Sequence, residues 1–122
     1  MILAKAWASP EIVAQILEIG RSEVPLEACG VVTPDARVLT LPNRSENPER
    51  SFVISSRDLG DVIQRWIMET GVDPTKLVEE HFMVWHTHPS GHVGPSRGDM
   101  QNRVEGFQNL VVAMPHGEAT LF

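Results

Sequence analysis

The chain predicts an α/β protein: a single mixed β-sheet with helices packed on it. Three observations carry this. Two segments place apolar residues at helical spacing behind good capping residues. Short apolar or alternating runs of strand length fill the intervals. The two kinds interleave in the order α-β-β-β-α-β-α-β-β, which favours one sheet with helices laid on it. At 122 residues, the chain reads as one domain, 1–122, near the common size of roughly 100–150.

The first helix is signalled by Ser9 as cap, Pro10 at the first position and Glu11 at the positive end. Ile12, Ile16, Leu17 and Ile19 follow at helical spacing, and Gly20 or Val24-Pro25 ends it. Ala28 to Thr33 is a short apolar strand. A turn at Pro34-Asp35 leads to a second, Ala36 to Leu41. Leu41 to Ser51 carries two prolines and two asparagines and reads as a surface loop. Ser51 to Ser55 alternates apolar and polar residues, as a strand does. A second helix starts at Ser55 or Ser56, buries Leu59, Val62, Ile63, Trp66 and Ile67, and stops at Gly71. His81 to His86 and Asn109 to Met114 read as central strands. A weaker helix runs between them from Ser96 to about Glu105. Glu118 to Phe122 closes the sheet after a turn at His116-Gly117.

Composition narrows the function. Hydrophobic residues are 42% and charged residues 21%, the balance of a globular chain with its own core. Sixteen acids against ten bases give a net charge of −6. That sign argues against a nucleic-acid partner. The single cysteine, Cys29, excludes an intrachain disulfide and a four-cysteine zinc site. No apolar run approaches the roughly 20 residues of a membrane span. Met1 to Ala8 is too short and mixed for a signal peptide, so the expected compartment is the cytoplasm.

The chemistry concentrates in His86-Thr87-His88-Pro89-Ser90-Gly91-His92-Val93-Gly94-Pro95-Ser96-Arg97-Gly98-Asp99. His86 and His88 are two apart at the end of a strand, so both rings leave one face and can aim at one point. Pro89 ends the strand. A Gly- and Pro-rich loop can fold back and bring Asp99, in the first turn of a helix, to the same place. Two histidines and one carboxylate form a catalytic zinc set with a fourth position left for water. Such a site needs a base to move protons. Spacing alone does not choose among the acids. Glu27 is attractive because Ala28-Cys29-Gly30 follows it, and those small residues permit close approach.

Each piece has a plainer reading when taken alone. Ser96 and Asp99 have the spacing of a helix capping box. His86 and His88 could be a surface pair, and Glu27 a surface strand end. Cys29 reads as a small buried residue. Trp66 and Trp85 read as core. His92 reads as a substrate-side or solvent residue, and His81 and His116 carry no signal. Gly91, Gly94 and Gly98 match no phosphate-loop spacing. One cysteine cannot supply the ligands of a zinc deaminase.

Taken together, His86-Thr87-His88-Pro89 with Ser96 and Asp99 resembles the JAMM motif of the JAB1/MPN metallopeptidase family. Pro25-Leu26-Glu27-Ala28-Cys29-Gly30 resembles that family's upstream glutamate segment. Asn43, Pro48 and Phe52-Val53-Ile54 fall where small bacterial and phage members have similar residues. The resemblance implies an MPN fold, a three-layer architecture like that of cytidine deaminases. It implies Zn²⁺ on His86, His88 and Asp99. Glu27 would be the general acid/base, and Ser96 a hydrogen-bond donor to the oxyanion. The implied substrate is the amide bond after the C-terminal glycine of a ubiquitin-like protein. The short stretch after Asp99 lacks room for the later insertion of polyubiquitin-selective members. That favours a small prokaryotic or phage protein, in tail assembly or sulfur-carrier processing. Two other readings stay open: a non-catalytic scaffold of the same fold, and a zinc hydrolase with an unrelated small substrate.

Overall fold

A computed structural model describes residues 3–122. Five strands form one mixed sheet in the order β2-β1-β3-β4-β5. In chain order the elements are α1 (Pro10–Glu23), β1 (Cys29–Val32), β2 (Val38–Leu41), α2 (Ser56–Thr70), β3 (Met83–His88), α3 (Arg97–Gln101), β4 (Gln108–Ala113) and β5 (Glu118–Leu121). Two single 3₁₀ turns, Pro74–Lys76 and Glu79–His81, lie between α2 and β3. β3 and β4 are parallel, joined by the crossover that contains α3; the other pairings are antiparallel.

The expected caps are in place. Ser9 Oγ accepts from the Ile12 amide at 3.1 Å and Pro10 opens α1. Ser55 Oγ accepts from Asp58 N at 3.0 Å. Gly71 ends α2 in the left-handed region at φ 70, where a Cβ would be strained.

The two helices cover opposite faces of the sheet. Ile12 and Ile16 of α1 pack on Val32, Met83, Trp85, Leu110 and Val112. Leu59 and Trp66 of α2 pack on Val31, Leu41, Phe82, Val84 and Phe107. Alternation along β3 explains the split: Met83, Trp85 and Thr87 face α1, while Val84, His86 and His88 face the α2 side. The apolar α2 face thus turns polar at the carboxyl end of β3. Trp66 and Trp85 are core residues, as expected.

Gly30 permits the closest approach in the sheet. A Cβ there would lie 2.0 Å from the Leu39 carbonyl oxygen and 2.6 Å from Cζ2 of Trp85. The indole of Trp85 therefore crosses the strand where only glycine fits.

Three expectations need correction. Ser51 to Ser55 is not a strand. Phe52 is buried and Val53 exposed, so the run alternates. Its polar groups, however, bond to Asn43 and Arg44 rather than to a ladder. The strand expected at 81–86 lies instead at Met83–His88. His81 belongs to a 3₁₀ turn, where its Nδ1 accepts from Val78 N at 3.2 Å. Parallel pairing of His88 with Ala113 carries the strand past His86. The helix expected from Ser96 to about Glu105 ends at Gln101. Beyond it, Val104 N turns to Asn109 Oδ1 at 3.0 Å.

Candidate metal centre

Glu27, His86, His88 and Asp99 meet at one buried point. Each offers a ligand atom, and those atoms lie within 4.8 Å of one another. Cross-strand register does the first part of the assembly. Cys29 lies opposite His86 across β1 and β3, so Glu27, two residues earlier, sits beside the end of β3. Thr87 fastens the two segments: its Oγ1 accepts from Ala28 N at 3.0 Å, and its own N donates to Ala28 O at 2.9 Å.

The second part comes from the loop. Ser96 caps α3, accepting from Asp99 N at 3.1 Å. Asp99 Oδ2 accepts in return from Ser96 N at 2.9 Å. This reciprocal capping box holds Asp99 in the first turn of α3 and points its carboxylate at the histidines. Cap and ligand are compatible readings, because one rotamer serves both. Ser96 is half-buried, and its hydroxyl donates to no acceptor among the described residues.

Three atoms form a near-regular triangle. His86 Nε2 and His88 Nε2 are 3.3 Å apart. Asp99 Oδ2 lies 3.1 Å from the first and 2.9 Å from the second. A four-coordinate zinc, about 2.0–2.1 Å from each ligand, spaces its ligands by about 3.3 Å. The donor chemistry fits as well. His88 Nδ1 is 2.9 Å from the His92 carbonyl oxygen, and only an N–H can make that bond. In the neutral ring Nε2 is then a bare lone pair facing another lone pair on Asp99. Such a contact needs a cation between or beside the two, either a proton or a metal ion.

His86 is oriented differently. Its ring stacks on Phe52 with centroids 3.9 Å apart and planes 17° apart, and meets the edge of Phe122 at 5.8 Å. Burial lowers its pKa despite Asp99. Burial also opposes charge on His88. There the bonds to Asp99 and to the His92 carbonyl prevail, and the pKa is raised. Asp99 is likewise desolvated, yet its contacts with the His86 and His88 rings, wherever these carry a proton on Nε2, hold its carboxyl far below the usual range.

Glu27 completes the site. It is buried, and its Oε1 has no hydrogen-bond partner. Burial pushes its pKa up to about 7; His88 pulls down and Asp99 pushes up. Cys29 lies next door but is pushed up to about 12, first by burial and then by the Glu27 charge, so it stays a neutral thiol. Its Sγ donates weakly to Leu41 O at 3.5 Å.

Several contributors have roles that residue order does not show. Phe52 and Phe122 flank His86, and Thr87 ties the strands. His92 is exposed, as expected of a solvent or substrate-side residue, and it also serves the site through its backbone carbonyl. Any residue has a carbonyl, so the histidine itself gave no clue.

Fold and site together define an α/β protein with a buried His, His, Asp and Glu cluster able to hold a metal ion. The family model of prokaryotic homologues of the JAB domain matches residues 9–119, and the chain belongs to that family. No curated relative matches the chain. No helix among the described residues is long and apolar enough to cross a membrane.

Proposed function

We propose that this protein is a zinc-dependent peptidase or isopeptidase that hydrolyses the amide bond after the C-terminal glycine of a ubiquitin-like protein. The observation that carries the reading is the buried, unpartnered Glu27 carboxyl beside a triangle of three ligand atoms. A structural role does not require a carboxyl with an unpaired buried oxygen, which costs roughly 1–3 kcal/mol. Family membership supports the same chemistry.

His86, His88 and Asp99 would hold the zinc. When bound, the ion would lower the pKa of a water to about 7 and polarise an amide carbonyl. Glu27 would take a proton from the attacking water. As the C–N bond breaks, it would pass that proton to the departing amine. The water oxygen ends in the new carboxylate. The Ser96 hydroxyl would donate toward the charge that develops on the carbonyl oxygen. The partner is then a ubiquitin-like protein or domain rather than nucleic acid, consistent with the net charge of −6. A cytoplasmic setting, in sulfur-carrier processing or phage tail assembly, suits such a substrate.

The test has two stages. Metal content of the protein purified without chelator should approach one zinc per chain. Ubiquitin-like domains fused through Gly-Gly to a reporter should then be cleaved at that bond. Glu27→Gln should retain the zinc and lose cleavage. Stoichiometric zinc with every fusion intact would favour a small unrelated substrate, and no zinc at all would favour a scaffold.

A further inference from the structure

We infer that Asn43 is a positioning residue that couples the segment of Glu27 to the ring stacked on His86; this rests on the metal-site reading above. Its carboxamide makes four bonds. Nδ2 donates to Glu27 O at 3.0 Å and to Ser51 O at 2.9 Å. Oδ1 accepts from Ser45 N at 3.0 Å and from Val53 N at 3.1 Å. Both donors and both lone pairs are used. Reversing the amide would set its oxygen against two carbonyls, so the orientation is unique.

The partners make this more than a loop staple. Ser51 O and Val53 N belong to the peptide groups on either side of Phe52, so Asn43 grips Phe52 from both sides. Phe52 is the ring that stacks flat on His86. The carbonyl of Phe52 accepts from Asn102 Nδ2 at 3.3 Å, at the end of the helix that carries Asp99. The remaining donor of Asn43 holds the main chain of Glu27. Glu27 N in turn donates to Pro48 O at 2.8 Å in the same loop. One side chain thus ties the segment of the acid/base to the ring stacked on His86, and the Phe52 carbonyl carries the link on to Asn102 at the end of the Asp99 helix. No strand ladder joins the 43–53 segment to the sheet, so its position is set by the Asn43 bonds together with the Glu27–Pro48 main-chain bond and the burial of Phe52. An aspartate would keep both acceptor bonds and lose both donations. An alanine would lose all four.

The test reads His86 directly and needs no substrate. In the metal-free protein, at an alkaline pH where histidines are neutral, the carbon-bound ring protons of His86 lie over the face of Phe52 and are shifted upfield. Phe52→Leu supplies their unstacked position. Asn43→Ala, with Asn43→Asp as the milder change should alanine fail to fold, is expected to move them toward that position. Zinc affinity, measured by chelator competition, is expected to fall about tenfold, the lower end for outer partners of metal ligands. Asp35→Ala, which removes two hydrogen bonds and the Arg37 ion pair at the far end of β1, should move neither readout. Unmoved His86 protons in both Asn43 variants would overturn the proposal. So would moved protons with wild-type zinc affinity, since the loop would then not be coupled to the ligands. If the wild-type protein takes no zinc, the metal reading fails by itself, and the His86 resonances alone decide whether Asn43 positions the ring.

Discussion

Half of the site is held by the sheet and half by loops, and the two halves are fastened by different physics. Glu27 and His86 are placed by the pairing of β1 with β3 and by the Thr87 bonds. Ladder bonds are main chain to main chain, so few single side chains can release them. Asp99 is placed by the Ser96 capping box, and the His88 ring is oriented by the His92 carbonyl. Each of those contacts involves a side chain and lies outside the ladder. The main-chain ladder of the sheet half should therefore break only through backbone or packing insults, while the side-chain bonds laid over it, those of Asn43 and Thr87, adjust its fine position. The loop half should loosen through single side-chain changes that cost little overall stability.

Gly30 is where the sheet half is most exposed to damage. Gly30→Ala puts a Cβ into the Leu39 carbonyl and the Trp85 indole. One of these obstacles is backbone, so the strands must separate. We expect a loss of about 3 kcal/mol or more, above the usual overpacking cost, with zinc binding lost in parallel. Urea denaturation would measure it. A loss below about 1 kcal/mol would mean that the ladder gives way easily and that the contrast between the halves is weak.

Asp99→Ala attacks the loop half at its end. It removes a ligand atom and the reciprocal cap bond together. Zinc affinity should fall by more than about a hundredfold, beyond the range for outer partners. The metal-free protein should lose only about 1 kcal/mol, typical of a cap. Zinc that stays stoichiometric under chelator challenge would reduce Asp99 to a capping residue. Ser96→Ala is the gentler version. It should cost about 1 kcal/mol by loss of the cap and weaken zinc about tenfold through a looser Asp99. Differential scanning calorimetry and chelator competition separate the two effects.

The same division decides what could be read in residue order. The caps at Ser9, Ser55 and Ser96, the left-handed stop at Gly71 and the shared face of His86 and His88 follow from local rules, and all are present. The order of the elements is read correctly apart from one false strand. That error is instructive: Phe52 alternates with its neighbours as a strand would, but its flanking peptide groups are claimed by Asn43. Nothing local says that a carboxamide eight to ten residues away will outcompete a ladder. Phe52 on His86, the carbonyl of His92 and Thr87 between β1 and β3 are similar cases. Each is a contact between segments, and none depends on a repeating pattern. The gathering of Glu27 with the later ligands was legible only through the motif resemblance, since spacing left several acids open.

The smallest effect comes from a turn that is fastened the loop way but stands apart from the site. Asp35 accepts from Thr33 Oγ1 at 2.5 Å and from the buried Trp66 Nε1 at 2.9 Å, and pairs with Arg37 at 3.0 Å. Desolvation works against its charge, but the bonds from Thr33 and Trp66 and the Arg37 charge prevail, so its pKa is lowered. A carboxyl depressed in the folded state contributes stability that is present above the unfolded pKa of about 3.9. That contribution disappears as pH falls through the folded value. Asp35→Asn keeps an acceptor for Trp66 and removes the titration. The wild-type protein should therefore be more stable than the variant at neutral pH, by less than about 1 kcal/mol for so exposed a pair. The difference should narrow below about pH 4 as the wild-type carboxyl takes up its proton. Denaturation followed by Trp fluorescence across that range reads the trend, and zinc affinity should not change. A gap that widens toward acid would show that the charge of Asp35 opposes folding. A change in zinc binding would mean that the far end of β1 is mechanically linked to the site, and the sheet would then be a less rigid frame than its ladder implies.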